Sequence, residues 1–294
     1  MKIIVIPQNE DVPCARWASW SGALPAEAHL YFNQMSAADL DASIPYIVGL
    51  GRKLKEQRPQ IAPSWSVPFP GSLEQGSVAS GFYDALYRKL FEQVLAIYDP
   101  KSTGRIKVRL PWEFNLDGGR DAAGRSNGQT NTAKDWSGRF NAPLYVLAYR
   151  RIAEIARDVS PRFWLSWVPN HGRQKIAAFE PYYPGDDVVD EVGFDFYFWS
   201  TNWAGENAAH AIDASGFGFQ WLVDFARAHR KPWCIAELGA DSDHFAPELR
   251  KLLAWAQTQG CRWVGWWDRY EVINTRVSTG ALPEIGAVVR EFLA

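Results

Sequence analysis

The chain has 294 residues, a formal net charge of −2 and 22% charged residues, which is typical of a globular protein with one large or two small domains. The near-neutral charge gives no reason to expect nucleic acid or an anionic membrane as a partner. No apolar run reaches the roughly 20 residues that span a bilayer. The opening MKIIVIPQNE is better interpreted as a first strand than as a signal peptide.

Cysteine and histidine usage argues against a bound metal. The three cysteines, Cys14, Cys234 and Cys261, are odd in number and lack metal-ligand spacing, so we expect no disulfide framework. The five histidines are scattered, and no HExxH, GxSxG or P-loop motif occurs. We therefore expect no metal and no cofactor. We also expect a monomer, and either a cytoplasmic protein or a mature secreted or phage-borne domain.

Eight β-rich runs alternate with longer helical runs in chain order. The predicted strands cover residues 2–6, 29–33, 61–67, 105–112, 162–168, 190–198, 232–238 and 261–267. The clearest predicted helices cover residues 36–57, 82–98, 142–159, 219–230 and 246–259. Residues 11–28 show no clean helical period, and residues 172–189 hold at most a short helix. This alternation predicts an α/β protein, a (β/α)8 TIM barrel with residues 1–294 as a single domain.

Two glutamates stand near the carboxyl ends of predicted strands. Glu113, in RLPWEFNLDGG, ends the fourth strand, and Glu237, in KPWCIAELGA, ends the seventh. Chemistry in such barrels takes place at this end of the strands, and strands four and seven lie across the mouth. A facing pair of acids is what glycosidic bond cleavage requires. The alternative is that each glutamate is only an ion-pair partner.

Four sequence segments, two of which contain these glutamates, carry a resemblance to a known family. They are PWEFN around Glu113, WLSWVPN (164–170), YYPGDDVVDEVGFDFY (182–197) and KPWCIAELG (231–239). In this order they resemble the landmarks of glycoside hydrolase family 26. The segment SGFYDALYRKL (80–90) and Trp65 in APSWSVP also resemble that family, and the resemblance covers roughly residues 60–270.

The resemblance implies a retaining, endo-acting β-glycanase that binds a polysaccharide or oligosaccharide. Glu113 would be the acid/base, Glu237 the nucleophile, and Tyr197 the tyrosine that donates a hydrogen bond to the nucleophile. One position departs from the family, because Trp112 stands where a histidine usually precedes the acid/base. This leaves the sugar open: β-mannan is the default expectation, and β-xylan, β-glucan and bacterial exopolysaccharide are alternatives. A barrel that only binds sugar is a further alternative.

Several other residues are candidates for substrate binding. Period two places Arg109 on the same strand face as Glu113, where it would either point inward or bridge interior acids. Period two also allows only one of the adjacent Trp266 and Trp267 to face inward, unless a bulge changes the choice. The remaining candidates are Trp65, Trp112, Asn115, Asn170 and Asp195. The long loop 117–141 is expected to be a lid or substrate-binding wall, or else a disordered insertion.

Overall fold

A computed structural model describes residues 1–32, 36–71, 74–116, 133–172, 176–200, 207–213, 216–270 and 274–293. Within these ranges eight strands form a closed parallel barrel in the order β1 to β8. The strands are β1 (Lys2–Pro7), β2 (Glu27–Tyr31), β3 (Ala62–Ser66), β4 (Ile106–Arg109), β5 (Phe163–Trp167), β6 (Glu191–Phe198), β7 (Trp233–Ala240) and β8 (Trp263–Asp268). The predicted TIM-barrel class is confirmed.

Helices connect the strands, as the periodicity predicts. They are α1 (Ala15–Ser21), α2 (Ala37–Gln57), α3 (Gln75–Ala79), α4 (Asp84–Leu95), α5 (Ala142–Val159), α6 (Ala208–Asp213), α7 (Phe219–Ala228), α8 (Ala246–Thr258) and α9 (Pro283–Glu291). The sequence showed no helical period over residues 11–28 because α1 is only seven residues long. Among the described helices, none combines the length and hydropathy that a bilayer span needs.

The contacts divide the chain into two compact units. The first unit comprises Met1–His29, Lys53–Pro63 and Val192–Ala294. Within it, β8 pairs with β1 along its whole length and also with β7. Fully buried apolar side chains of these strands form its core. Their burial stabilises the fold, since the removal of apolar surface from water is the main favourable contribution to folding.

The second unit comprises Leu30–Arg52 and Ser64–Glu191. Here β4 pairs with β3 on one side and β5 on the other. Helix α5 begins where Asn141 accepts a hydrogen bond from the backbone N–H of Leu144 at 3.1 Å, which is a side-chain N-cap. The interior beside this helix is filled by a cluster of aromatic rings in contact with one another, Phe114, Tyr145, Trp167 and Tyr182.

The fourth strand is shorter than predicted. We expected it to run to Trp112, but β4 ends at Arg109, so this boundary was wrong. Pro111 lacks a backbone N–H and cannot continue the hydrogen-bond ladder. Glu113 therefore lies in the turn that follows the strand, and strand alternation does not place it on the same face as Arg109.

Candidate active site

Glu237 lies in an irregular part of β7. On the β6 side Phe194 pairs with Ile235, whereas the next residue, Asp195, pairs with Glu237. Ala236 is thus an extra residue in β7, and the pairing with β8 shifts over the same stretch. A β-bulge of this kind bends the strand and changes the direction of a side chain. The bulge therefore sets where the Glu237 carboxylate points.

Gly265 makes room for this bulge. A Cβ on Gly265 would lie 2.2 Å from the backbone oxygen of Ala236, which is far inside van der Waals contact. The neighbouring strand β8 can approach the bulge closely only because residue 265 has no side chain.

The Glu237 carboxylate has polar neighbours on β6. The hydroxyl of Tyr197 donates a hydrogen bond to Oε2 of Glu237. A carboxylate oxygen of Asp195, which is fully buried, lies within 4.8 Å of one of Glu237. The Tyr197 ring in turn meets the ring of Trp267 edge to face, with 6.2 Å between centroids. Tyr197 thus joins the buried acid to an aromatic side chain that is only partly buried.

The two adjacent tryptophans of β8 have different environments. Trp266 is fully buried, and its indole N–H donates a hydrogen bond to the backbone oxygen of Thr275 at 3.1 Å. Trp267 is partly exposed, and the guanidinium of Arg269 lies 4.8 Å from its ring centroid. Of the pair, Trp267 is therefore the one whose side chain keeps some exposure to solvent.

Asp268 ends β8 and turns away from solvent. Its carboxylate accepts hydrogen bonds from the backbone N–H of Ser278, at 3.1 Å, and from the Ser278 hydroxyl. Burial raises the pKa of Asp268 above its ordinary value, because the charged form loses hydration. These contacts anchor the segment that follows β8.

Glu113 occupies a tight turn in the second unit. Its φ of 51° is in the left-handed region, which costs a residue with a side chain about 1 to 2 kcal/mol. The turn is held because the Glu113 N–H donates to Val168 O at 2.8 Å and the Leu116 N–H donates to Glu113 O at 3.0 Å. Asn170 Nδ2 donates to Glu113 Oε1 at 2.8 Å. Both the backbone and the carboxylate of Glu113 are thus fixed.

Arg109 is enclosed by polar and aromatic groups and is only 3% exposed. Its Nε donates to the Ser66 hydroxyl at 2.9 Å, and its Nη2 donates to the Tyr31 hydroxyl at 2.8 Å. The guanidinium also lies 4.7 Å from the ring centroid of Trp112 and 5.2 Å from that of Tyr31, within the range of cation–π attraction. Trp112, the residue that departs from the family pattern, therefore forms one wall of the Arg109 site.

Sequence reasoning missed Tyr31 and Ser66. Both are the last residues of their strands, β2 and β3. The position at a strand's carboxyl end, which selected the two glutamates, is therefore a signal that could have identified them as well.

Trp65 and Asn115, both candidates for substrate binding, are fully buried. The Trp65 indole N–H donates to the Tyr98 hydroxyl at 2.9 Å. A Cβ on Gly51 of α2 would lie 2.3 Å from the Trp65 ring, so the indole fills the layer between β3 and α2. This placement favours packing over the substrate contact predicted for Trp65. Asn115 bonds to the backbone of residues 170 and 172.

Only the end of the predicted long loop is described, and residues 117–132 lie outside the described ranges. Residues 134 and 140 form a bridge around a turn at Asp135. Hydrogen bonds, first that from the Ser137 hydroxyl, lower the pKa of Asp135 to about 2. Trp136 in this turn is 86% exposed. The predicted lid or wall remains a prediction.

No protein-family profile matches the sequence, and no curated protein matches it significantly. Solved structures do match. GH26C from Muricauda sp. MAR_2010_75 gives a TM-score of 0.66 at 15% identity, covering 99% of this chain and 85% of that chain. The GH26 β-mannanase BoMan26A from Bacteroides ovatus gives 0.58 at 18% identity, covering 94% and 81%. Bacillus subtilis mannanase man26 gives 0.61 at 14% identity, covering 96% and 85%.

These likenesses establish the fold. The predicted resemblance to family 26 is confirmed at the level of the fold.

Proposed function

We propose that the protein is a retaining, endo-acting glycoside hydrolase in which Glu237 is the nucleophile and Glu113 the acid/base. One observation carries the proposal: a buried Glu237 held by the hydroxyl of Tyr197, whose ring contacts the partly exposed Trp267. An oriented carboxylate beside a partly exposed indole suits attack on the anomeric carbon of a stacked sugar. The Asn170 hydrogen bond to Glu113 supplies a second oriented acid.

The proposed reaction has two steps. In the first, the carboxylate of Glu237 attacks the anomeric carbon while Glu113 gives its proton to the departing glycosidic oxygen. In the second, Glu113 removes a proton from water while the water oxygen bonds to the anomeric carbon, and the bond between that carbon and Glu237 breaks to release the Glu237 carboxylate. Two inversions return the original anomeric configuration. Both glutamates stand near the carboxyl ends of predicted strands, which is where barrels of this class carry their chemistry.

The substrate we propose is a β-linked polysaccharide, with β-mannan first. Support comes from two of the structural neighbours, BoMan26A and man26, which are mannanases. The identity of the sugar also depends on Trp112, which packs on Arg109 at the position where the family usually has histidine. Xylan, β-glucan and bacterial exopolysaccharides therefore stay in the set to be tested.

The test is product analysis by mass spectrometry with a panel of these polysaccharides. We expect oligosaccharides from one substrate with the wild type, none with Glu237→Ala, and strongly reduced release with Glu113→Ala. Glu284→Ala, which changes an exposed glutamate, is the matched control and should cleave like the wild type. Proton NMR of the first product should show the retained anomer. Binding of a glycan without cleavage by the wild type would favour a barrel that only binds sugar.

A further inference from the structure

Asn115 and Asn170 form a reciprocal pair. The Asn170 backbone N–H donates to Asn115 Oδ1 at 2.8 Å, and Asn115 Nδ2 donates back to the Asn170 backbone oxygen at 2.8 Å. The same Nδ2 donates a second hydrogen bond to Gly172 O at 3.3 Å. The side-chain amide of Asn115 therefore makes three hydrogen bonds to the backbone of the loop that follows β5.

Asn115 sits inside the Glu113 turn. The hydrogen bond from the Leu116 N–H to Glu113 O closes this turn around it, and Asn115 itself is fully buried. The turn that carries Glu113 and the loop that carries Asn170 are thus joined through one side chain.

Asn170 completes the path to the carboxylate, because its Nδ2 donates to Glu113 Oε1 at 2.8 Å. The carbonyl oxygen of a protonated carboxyl is a better acceptor than its hydroxyl oxygen, so this hydrogen bond favours Oε1 as the carbonyl oxygen and Oε2 as the oxygen that carries the proton.

We propose that Asn115 is a positioning residue for general acid catalysis, which acts through Asn170 to hold the Glu113 carboxyl with Oε2 as the proton donor. This inference rests on the proposed function for its catalytic meaning. It also changes the role predicted for Asn115, because the residue is fully buried and its Nδ2 donates to two backbone oxygens, which keeps it from a sugar hydroxyl. Orientation of the Glu113 carboxyl can affect the rate, because proton transfer requires the acid to lie in the correct geometry.

The first test needs no substrate. The δ-carbon of Glu113 is titrated by NMR in ¹³C-labelled wild type, Asn115→Ala, Asn170→Ala and the double variant, with the signal assigned from Glu113→Gln. Loss of a hydrogen bond to the ionised form raises a carboxyl pKa. We expect the pKa of Glu113 to rise in both single variants and the double variant to match Asn170→Ala, because Asn115 acts through Asn170.

A pKa of Glu113 that is unchanged in Asn115→Ala would overturn the inference. So would a shift of equal size in the presence and absence of Asn170. If Asn115→Ala does not fold, as judged by circular dichroism, Asn115→Ser takes its place, since a hydroxyl retains one hydrogen bond to the loop.

The second test separates acid catalysis from general damage. The kcat/KM is measured with phenyl and 2,4-dinitrophenyl β-glycosides of the disaccharide that the polysaccharide panel identifies, because the dinitrophenolate leaves without a proton. We expect Asn115→Ala to lose at least about tenfold more with the phenyl substrate. An equal loss with both substrates would contradict a positioning role. If Glu113→Ala and Glu237→Ala cleave like the wild type, the proposed function fails, whereas the NMR experiment still decides whether Asn115 orients Glu113.

Discussion

The hydroxyl of Tyr197 donates a hydrogen bond to Oε2 of Glu237. Removing it should reduce turnover, because a hydrogen bond to a charged group contributes about 1.5 to 3 kcal/mol. For Tyr197→Phe we expect kcat to fall about 10- to 100-fold with little change in KM, measured by steady-state kinetics on the cleaved glycan. Tyr183→Phe is the matched control, since Tyr183 donates to Asp186 at 2.8 Å at an exposed site. Equal losses in the two variants would contradict a specific role for Tyr197.

The two tryptophans of β8 should separate binding from stability. Trp267→Ala removes a partly exposed ring, so we expect weaker substrate binding and a melting temperature close to that of the wild type. Trp266→Ala empties a fully buried position and should cost about 3 to 5 kcal/mol of unfolding free energy. Isothermal titration with oligosaccharide and thermal unfolding measure the two effects. The opposite pattern would show that Trp266 is the one that meets the ligand.

Gly265→Ala tests the bulge in β7. The added Cβ would lie 2.2 Å from Ala236 O, so the strands must separate or the bulge must move. We expect lower thermal stability and a loss of activity larger than the change in folded fraction explains. Gly49→Ala is the control, because a Cβ there meets nothing within 4 Å and helix α2 should gain about 0.5 to 1 kcal/mol. An active and stable Gly265→Ala would show that the bulge does not depend on glycine.

Asp268 should give a pH-dependent contribution to stability. Its pKa is raised in the folded state by burial, so its protonation stabilises the fold, and this stabilisation is lost as the pH rises through the folded-state pKa. The Asp268→Asn variant lacks this titrating group and so has no such pH-dependent contribution to stability. The free energy of unfolding of Asp268→Asn relative to wild type should therefore increase between about pH 3 and pH 7. Urea unfolding across this range measures the difference, and a constant difference would contradict the prediction.

Much of the fold follows from the sequence. The alternating β-rich and helical runs predict all eight strands, because turn residues bound each strand and the helical runs between the strands are long. Helix α1 could not be predicted in this way, since its seven residues form fewer than two helical turns. Trp112 and Pro111 were predicted as part of β4 because the residue types favour a strand, while the missing N–H of proline ends the ladder there.

The site is predictable in its residue types but not in its contacts. Glu113, Glu237 and Tyr197 follow from strand ends and family motifs, and Tyr197 does contact Glu237. The direction of the Glu237 carboxylate depends on one extra residue in β7. The residue types of β7 do not indicate this bulge, so it could not be predicted from the sequence. The partners of Asn115 are backbone atoms of residues distant in the chain, which a pattern of side chains cannot reveal.

The bulge opposite Gly265 bears on how this barrel could be re-engineered. The direction of Glu237 is set by the main chain of two adjacent strands and by the Tyr197 hydroxyl on β6, and none of these lies in the loops above the strands. Libraries that randomise those loops to change the preferred glycan can therefore leave the direction of the nucleophile unchanged, provided that Tyr197, Ala236 and Gly265 are held constant.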